Sequence, residues 1–240
     1  MDEKLGTLPL AHEPGTRWHY GYNMEVLGVL IARISGMPLP DYLHKRIFAP
    51  LGMKDTGFWV PQDKLYRLAA CPACVPGFTG RRTPDDPARD SRWSQPPVFP
   101  SGGAGLVSTA SDYWKFAQML VNYGVLGNVQ IISRRSAELM TTNRLTAEQL
   151  GFPPFTETSD NVNTPAMPGT GFGLSLSIVE DTAKQSSLSS TGNFHWAGAF
   201  GTDWVGDRCK NLVLIIMTQS GYNPKLMADF TDSAYQTIRD

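Results

Sequence analysis

No apolar run in this sequence is long enough to cross a bilayer. The longest, Leu212-Val213-Leu214-Ile215-Ile216-Met217, is far short of the roughly 20 residues a spanning helix needs. Charge of either sign is not in excess: 21 Lys and Arg against 22 Asp and Glu leave a net −1, so nothing draws the chain to nucleic acid or an anionic membrane. The opening residues, Met1-Asp2-Glu3-Lys4-Leu5-Gly6, lack the apolar centre of a signal peptide, which favours the cytoplasm. Cysteine is scarce. Cys71 and Cys74 have the spacing of a redox pair or half a zinc site, but only Cys209 and four scattered histidines could complete it. Free loop thiols, with no metal and no cofactor, are the expectation. There is no internal repeat and no Gly-x-Ser-x-Gly elbow. The glycine-rich stretch Ser101-Gly102-Gly103-Ala104-Gly105 lacks the Lys-Ser/Thr ending of a phosphate-binding loop and does not fit Gly-x-Gly-x-x-Gly. Its small residues suit close backbone packing instead.

What is present is ordinary for a globular chain: 240 residues, 41% hydrophobic and 18% charged, enough for one large domain or two modest ones. Pro14-Gly15 predicts a turn, after which Asn23 can cap a helix over residues 23–35. The steps between Val26, Leu27, Leu30, Ile31 and Ile34 predict that this helix is buried, and Gly36 should end it. A second helix follows Pro38-Leu39-Pro40, with Asp41 near its start, and stops at the turn Pro50-Leu51-Gly52-Met53-Lys54-Asp55-Thr56. Residues 57–100 read as a proline-rich surface excursion that either rims a cleft or is simply solvated. Ser108 or Ser111 can cap a helix through Trp114, Phe116, Met119 and Leu120, and another helix is expected over residues 133–140.

From Gly171 the period shortens. Residues 172–178 alternate apolar with small or polar side chains, as a half-buried strand does, and residues 194–198, 202–205 and 211–218 add strand signals. A turn is expected at Gly206-Asp207, and Asn223-Pro224 should start a final helix. The simplest architecture is a mainly helical lobe over residues 1–165. Antiparallel strands packed by a C-terminal helix would then fill residues 166–240, an α/β chain of the α+β type.

Three stretches carry a family pattern. Residues 14–28 read PGTRWHYGYNMEVLG, residues 50–56 read PLGMKDT, and residues 101–120 read SGGAGLVSTASDYWKFAQML. On bare physics the first is an aromatic anchor under a loop and the second a helix stop. In this order they resemble the serine β-lactamase and penicillin-binding-protein-like family, and most nearly the esterase branch related to class C β-lactamases. The resemblance implies a β-lactamase-like fold and acyl transfer through a covalent serine ester.

It further implies roles for particular residues. Tyr20 matches the catalytic tyrosine. Tyr22 stands where class C β-lactamases have asparagine, with Asn23 one place late. Trp196-Ala197-Gly198 occupies the place of Lys-Thr-Gly, an aromatic replacing the cation that would meet a β-lactam carboxylate. The backbone N–H of Ala199 would form half of the oxyanion hole. Side chains alternate along a strand, so His195 and Trp196 cannot both face the site, and Trp196 is the one expected to do so. Small acyl esters are the implied substrates, ahead of amides, β-lactams or a second acyl acceptor.

One departure matters most. The family's nucleophile is the serine of a Ser-x-x-Lys pair, held one helical turn from its lysine. No serine in this sequence has a lysine three residues on. The N-terminal part of the fold is therefore expected to be what this sequence lacks, and a catalytically inactive binding module is the alternative reading. Unpaired apolar surface should then make the isolated chain poorly stable, self-associating, or dependent on a complementing segment. Sedimentation and denaturant unfolding at micromolar concentration check this, and a cooperative, monomeric transition would overturn it.

Overall fold

Gly15 adopts φ +82° and the Thr16 N–H donates to the Glu13 carbonyl at 3.2 Å, so the expected turn forms where Pro14-Gly15 predicts it. The computed structural model describes residues 2–10, 12–70, 91–151, 168–219 and 223–239. The Cys71/Cys74 pair, and with it the zinc or redox question, lies outside the described residues.

Helix α1, Asn23–Ser35, ends at Gly36 in the left-handed region. Asn23 is not its cap. Tyr22 takes that position without a side-chain bond, and the Asn23 amide donates back to the His19 carbonyl at 3.3 Å, fastening the helix to the turn that carries Tyr20. Burial of α1 is also less than expected. Val26, Leu27, Leu30 and Ile34 remain exposed, Ile34 by 78%, while Gly28 is buried. The packed side of α1 is the one that meets Leu39 and Gly102, and among the described residues nothing closes over the apolar stripe.

Helix α2, Leu39–Leu51, runs through a π-helical turn at His44–Phe48 and stops at Gly52, φ +66°. Helix α3, Ala110–Val121, is capped by Thr109, whose hydroxyl accepts the Asp112 N–H at 3.2 Å, rather than by Ser108 or Ser111. Thr109 alone combines extended backbone with the correct spacing. One turn into α3, buried Asp112 accepts the Asp55 N–H at 2.6 Å and the Thr56 hydroxyl at 3.2 Å, and pairs with Lys115 at 3.0 Å. Lys115 also donates to the Gly52 carbonyl. The PLGMKDT turn and the start of α3 are thus two halves of one polar joint.

A short hairpin of β1, Val125–Leu126, and β2, Val129–Gln130, leads to helix α4, Arg134–Met140, capped by Ser133. Beyond it stands a five-stranded antiparallel sheet in sequence order: β3 (Thr170–Phe172), β4 (Ser177–Val179), β5 (Phe194–Ala197), β6 (Thr202–Asp207) and β7 (Leu212–Met217). Two strand expectations need correction. Residues 172–178 are not one strand but the tip of the β3–β4 hairpin. Ser175 turns at φ +69° and the Gly173 N–H closes onto the Leu176 carbonyl at 2.8 Å, a turn that apolar/polar alternation cannot reveal. The β6–β7 turn lies at residues 208–211, not at Gly206-Asp207. Gly206 stays inside β6 because Phe194 packs over it: a Cβ there would come within 2.6 Å of the ring.

Phe194, Trp204, Ile178, Met119 and Leu120 form the buried centre between sheet and α3. Arg208 crosses from the sheet to the end of α3, donating to the Leu120 carbonyl at 2.8 Å and stacking on Tyr123 at 4.1 Å. Helix α5, Pro224–Gln236, begins as expected with the Asn223 side chain accepting the Leu226 N–H at 3.1 Å. Its buried Tyr235 donates to Asp207 at 2.6 Å, where the Ser190 hydroxyl also donates at 2.7 Å. Among the described residues, β7 pairs only with β6, leaving Leu212–Met217 as an apolar edge.

Replacing Asp112 by Ala leaves a half-buried N–H, a hydroxyl and an ammonium each one acceptor short. A loss of about 3 kcal/mol is expected for Asp112→Ala, with a smaller loss for Asp112→Asn. Denaturant unfolding of the two variants beside the parent checks it.

Candidate active site

Tyr20 stands at the end of the turn, three residues before the first residue of α1, and is 48% exposed. Across from it, Trp196 projects from β5 on the same side as Phe194, and the two rings stack with centroids 5.9 Å apart and planes 24° from parallel. The structure therefore brings Tyr20 and Trp196, far apart in sequence, into contact. His195, one residue earlier on the strand, lies on the opposite sheet face, away from Tyr20. Tyr22 is exposed at the start of α1, and Asn23 is engaged with His19, so neither side chain reaches Trp196 by any described contact.

The strand leaves β5 through a tight hairpin. The Gly198 N–H donates to the Thr202 carbonyl at 2.7 Å and the Gly201 N–H to the Gly198 carbonyl at 3.0 Å. Between them Ala199 is exposed, and its N–H meets no acceptor among the described residues. A free N–H beside the Trp196 strand is what an oxyanion donor requires. Ala197 holds the strand register opposite Asp203. Phe200, next in the hairpin, packs edge-on against Trp93 at 5.7 Å, and the Trp93 indole donates to the Gly105 carbonyl at 3.1 Å. The hairpin is thereby tied to the glycine-rich loop.

That loop lies directly on α1. A Cβ on Gly102 would meet the Met24 carbonyl at 2.1 Å, and one on Gly28 would meet the Gly102 Cα at 2.9 Å. Only glycine allows this approach. Glu25, in the first turn of α1, accepts the Gly102 N–H at 2.7 Å and the Ser101 hydroxyl, while Ser101 accepts the Ala104 N–H at 2.8 Å. Sequence reasoning missed Glu25, Trp18, Phe172 and Trp93. A carboxylate in a helix first turn gives no sign of a loop 76 residues away, and an aromatic in a loop gives no sign of the ring it meets.

The charges near β5 lie on the sheet's other face. Desolvation lowers the half-buried His195 imidazole to about 4 and raises the Asp203 carboxyl to about 7. The Tyr20 hydroxyl makes no hydrogen bond among the described residues, which also hold no cluster of three or more metal-ligating side chains. A separate open groove of about 560 Å³, lined by Val29, Ala32, Met37, Leu39 and Phe99, runs along the flank of α1 away from the apolar stripe and touches neither Tyr20 nor Trp196.

The beta-lactamase family model matches residues 1–236. The chain belongs to this family. Protein Rv1367c of Mycobacterium tuberculosis is 38% identical over 228 residues, covering 94% of this chain and 54% of that protein. Esterase EstB of Burkholderia gladioli is 26% identical over 230 residues, covering 91% and 54%. Among solved structures, EstCE1, a hydrolase with promiscuous acyltransferase activity, superposes with a TM-score of 0.74 at 22% identity over 96% of this chain and 59% of its own. This family member thus has the β-lactamase-like fold and spans little more than half the length of these relatives.

The two shifted groups pull stability in opposite directions with pH. Asp203 keeps its proton in the folded state from about 4 to about 7, so folding weakens as pH rises through that window. His195 stays neutral when folded, so folding weakens as pH falls from 6.5 to about 4. The two largely offset each other below 6.5. Asp203→Asn should leave stability rising with pH from 4 to 6.5 and flat above, and His195→Gln should leave it falling across the window. Unfolding midpoints at half-unit pH steps distinguish these profiles.

Proposed function

We propose that this chain supplies the tyrosine, the oxyanion strand and the acyl-binding surface of a serine carboxylesterase of the beta-lactamase family. The reading rests above all on the stacking of Tyr20 on Trp196 beside the free Ala199 N–H. Trp196 in place of a cation favours neutral acyl esters over carboxylate-bearing β-lactams. In the reaction, a serine hydroxyl from a Ser-x-x-Lys segment outside these 240 residues attacks the ester carbonyl. The Tyr20 hydroxyl accepts the serine proton as it passes its own to the lysine amine of that segment, and the oxyanion accepts a hydrogen bond from the Ala199 N–H. Collapse expels the alcohol, which takes a proton back from Tyr20. Water then cleaves the acyl-enzyme by the same route in reverse, releasing the carboxylic acid and regenerating the serine.

The exposed stripe Val26, Leu27, Leu30 and Ile34 and the open edge of β7 offer surfaces on which such a segment would seat. A second reading, a non-catalytic binding module built on the same cleft, is favoured by one observation alone, the lack of Ser-x-x-Lys in this sequence.

Two experiments separate the readings. Intact mass after exposure of the 240-residue chain to a fluorophosphonate should show no adduct, and an adduct on one of its own serines would overturn the assignment. The coding sequence upstream of Met1 should then be read for an in-frame Ser-x-x-Lys and the longer polypeptide expressed. Labelling of that serine with hydrolysis of p-nitrophenyl acetate is the expected result, and Tyr20→Phe in that protein should lower kcat roughly 10²–10⁴-fold. Absence of an upstream pair, or of labelling, would favour the binding module.

A further inference from the structure

Tyr20 and Trp196 belong to a larger set of rings. Trp18 meets Phe172 edge-on at 5.1 Å, Phe172 meets Trp196 edge-on at 5.4 Å, Trp196 stacks on Tyr20 at 5.9 Å, and Tyr20 returns to Trp18 at 6.4 Å. The four contacts close a circuit drawn from three places in the chain: the turn before α1, the end of β3 and β5. Phe194 and Trp204 also pack edge-on but are buried, whereas every ring of the circuit keeps part of its surface accessible.

We propose that Trp18 and Phe172, which the catalytic reading leaves unused, complete with Tyr20 and Trp196 an aromatic wall that selects esters bearing a neutral aryl or alicyclic ring. The inference rests on the esterase reading for its location but not for its test. Three observations carry it. Each ring is braced by two others, through two edge-on contacts, one stack and one tilted contact, so the accessible faces are fixed before a ligand arrives. The four rings present apolar faces, and pressing a carboxylate against them strips its hydration at a cost that a neutral ring does not meet. The distances also exclude a cage for a quaternary ammonium. Neighbouring centroids 5.1–6.4 Å apart mean the rings touch one another, and no space remains among them for a trimethylammonium group. What remains available is the outer surface, a place for a flat or puckered apolar ring and not for a cation.

The test uses the 240-residue chain and follows the indole N–H resonances of Trp18 and Trp196 during titration with phenyl acetate, cyclohexyl acetate, benzoate and choline. The neutral ring esters should shift both resonances with millimolar affinity, and benzoate and choline should bind at least tenfold more weakly. Phe172→Ala should weaken phenyl acetate about five- to tenfold. Phe172→Leu, which keeps an apolar side chain at that position, should weaken it less and guards against loss of fold in the alanine variant. Equal binding of choline or benzoate, or an unchanged affinity in both Phe172 variants, would overturn the proposal. Failure here with a labelled serine in the longer protein leaves the esterase reading standing. Ring binding without any labelled serine leaves the wall standing and removes the esterase.

Discussion

The backbone-to-backbone contact between Gly102 and α1 is the constraint on which the site depends. At this one place a loop lies close enough to a helix that a single methyl group would collide with the Met24 carbonyl. The contact fixes where α1 starts relative to the loop, and Tyr20 stands just before that start. Glu25 secures it with two bonds, and Trp93 carries the same loop across to the hairpin after Trp196. Tyr20 and Trp196 stack because the elements behind them have no freedom to separate. A side chain aimed from a turn keeps its direction only when its neighbours make the turn rigid.

Much of the fold was legible because it is written locally. Gly36 and Gly52 stop helices by adopting a backbone conformation that other residues resist, and Asn223 caps by its own side chain, so each signal lies within a few residues of its effect. The misplaced features depend on distant partners. Gly206 looked like a turn until Phe194, twelve residues earlier, required a glycine inside the strand. The hairpin hidden within residues 172–178 has the alternation of one strand, since both arms obey the same period of two. Asn23 lost its capping role to a bond that serves the tyrosine turn instead.

The candidate site divides in the same way. Tyr20 and Trp196 were found through motif resemblance and the alternation of a strand. Trp18, Phe172 and Glu25 acquire meaning only through three-dimensional neighbours. The α1 stripe is the instructive failure. Its spacing correctly announced an apolar helix face, but periodicity states that a face seeks cover and cannot say whether the cover belongs to the same 240 residues.

The joint at Asp112 has a consequence for how this chain can change over time. Its carboxylate serves a backbone N–H and a threonine hydroxyl more than fifty residues upstream and a lysine one turn onward. Loss of the carboxylate takes an acceptor from Lys115 and Thr56 together, leaving them the Gly52 carbonyl and the Ser108 hydroxyl, while loss of Thr56 alone leaves the other bonds intact. Substitution at these positions is therefore asymmetric in cost: losing the threonine removes one of these bonds, and losing the aspartate removes all three. Two motifs that look independent along the sequence thus share one acceptor, and a change in either is felt by both.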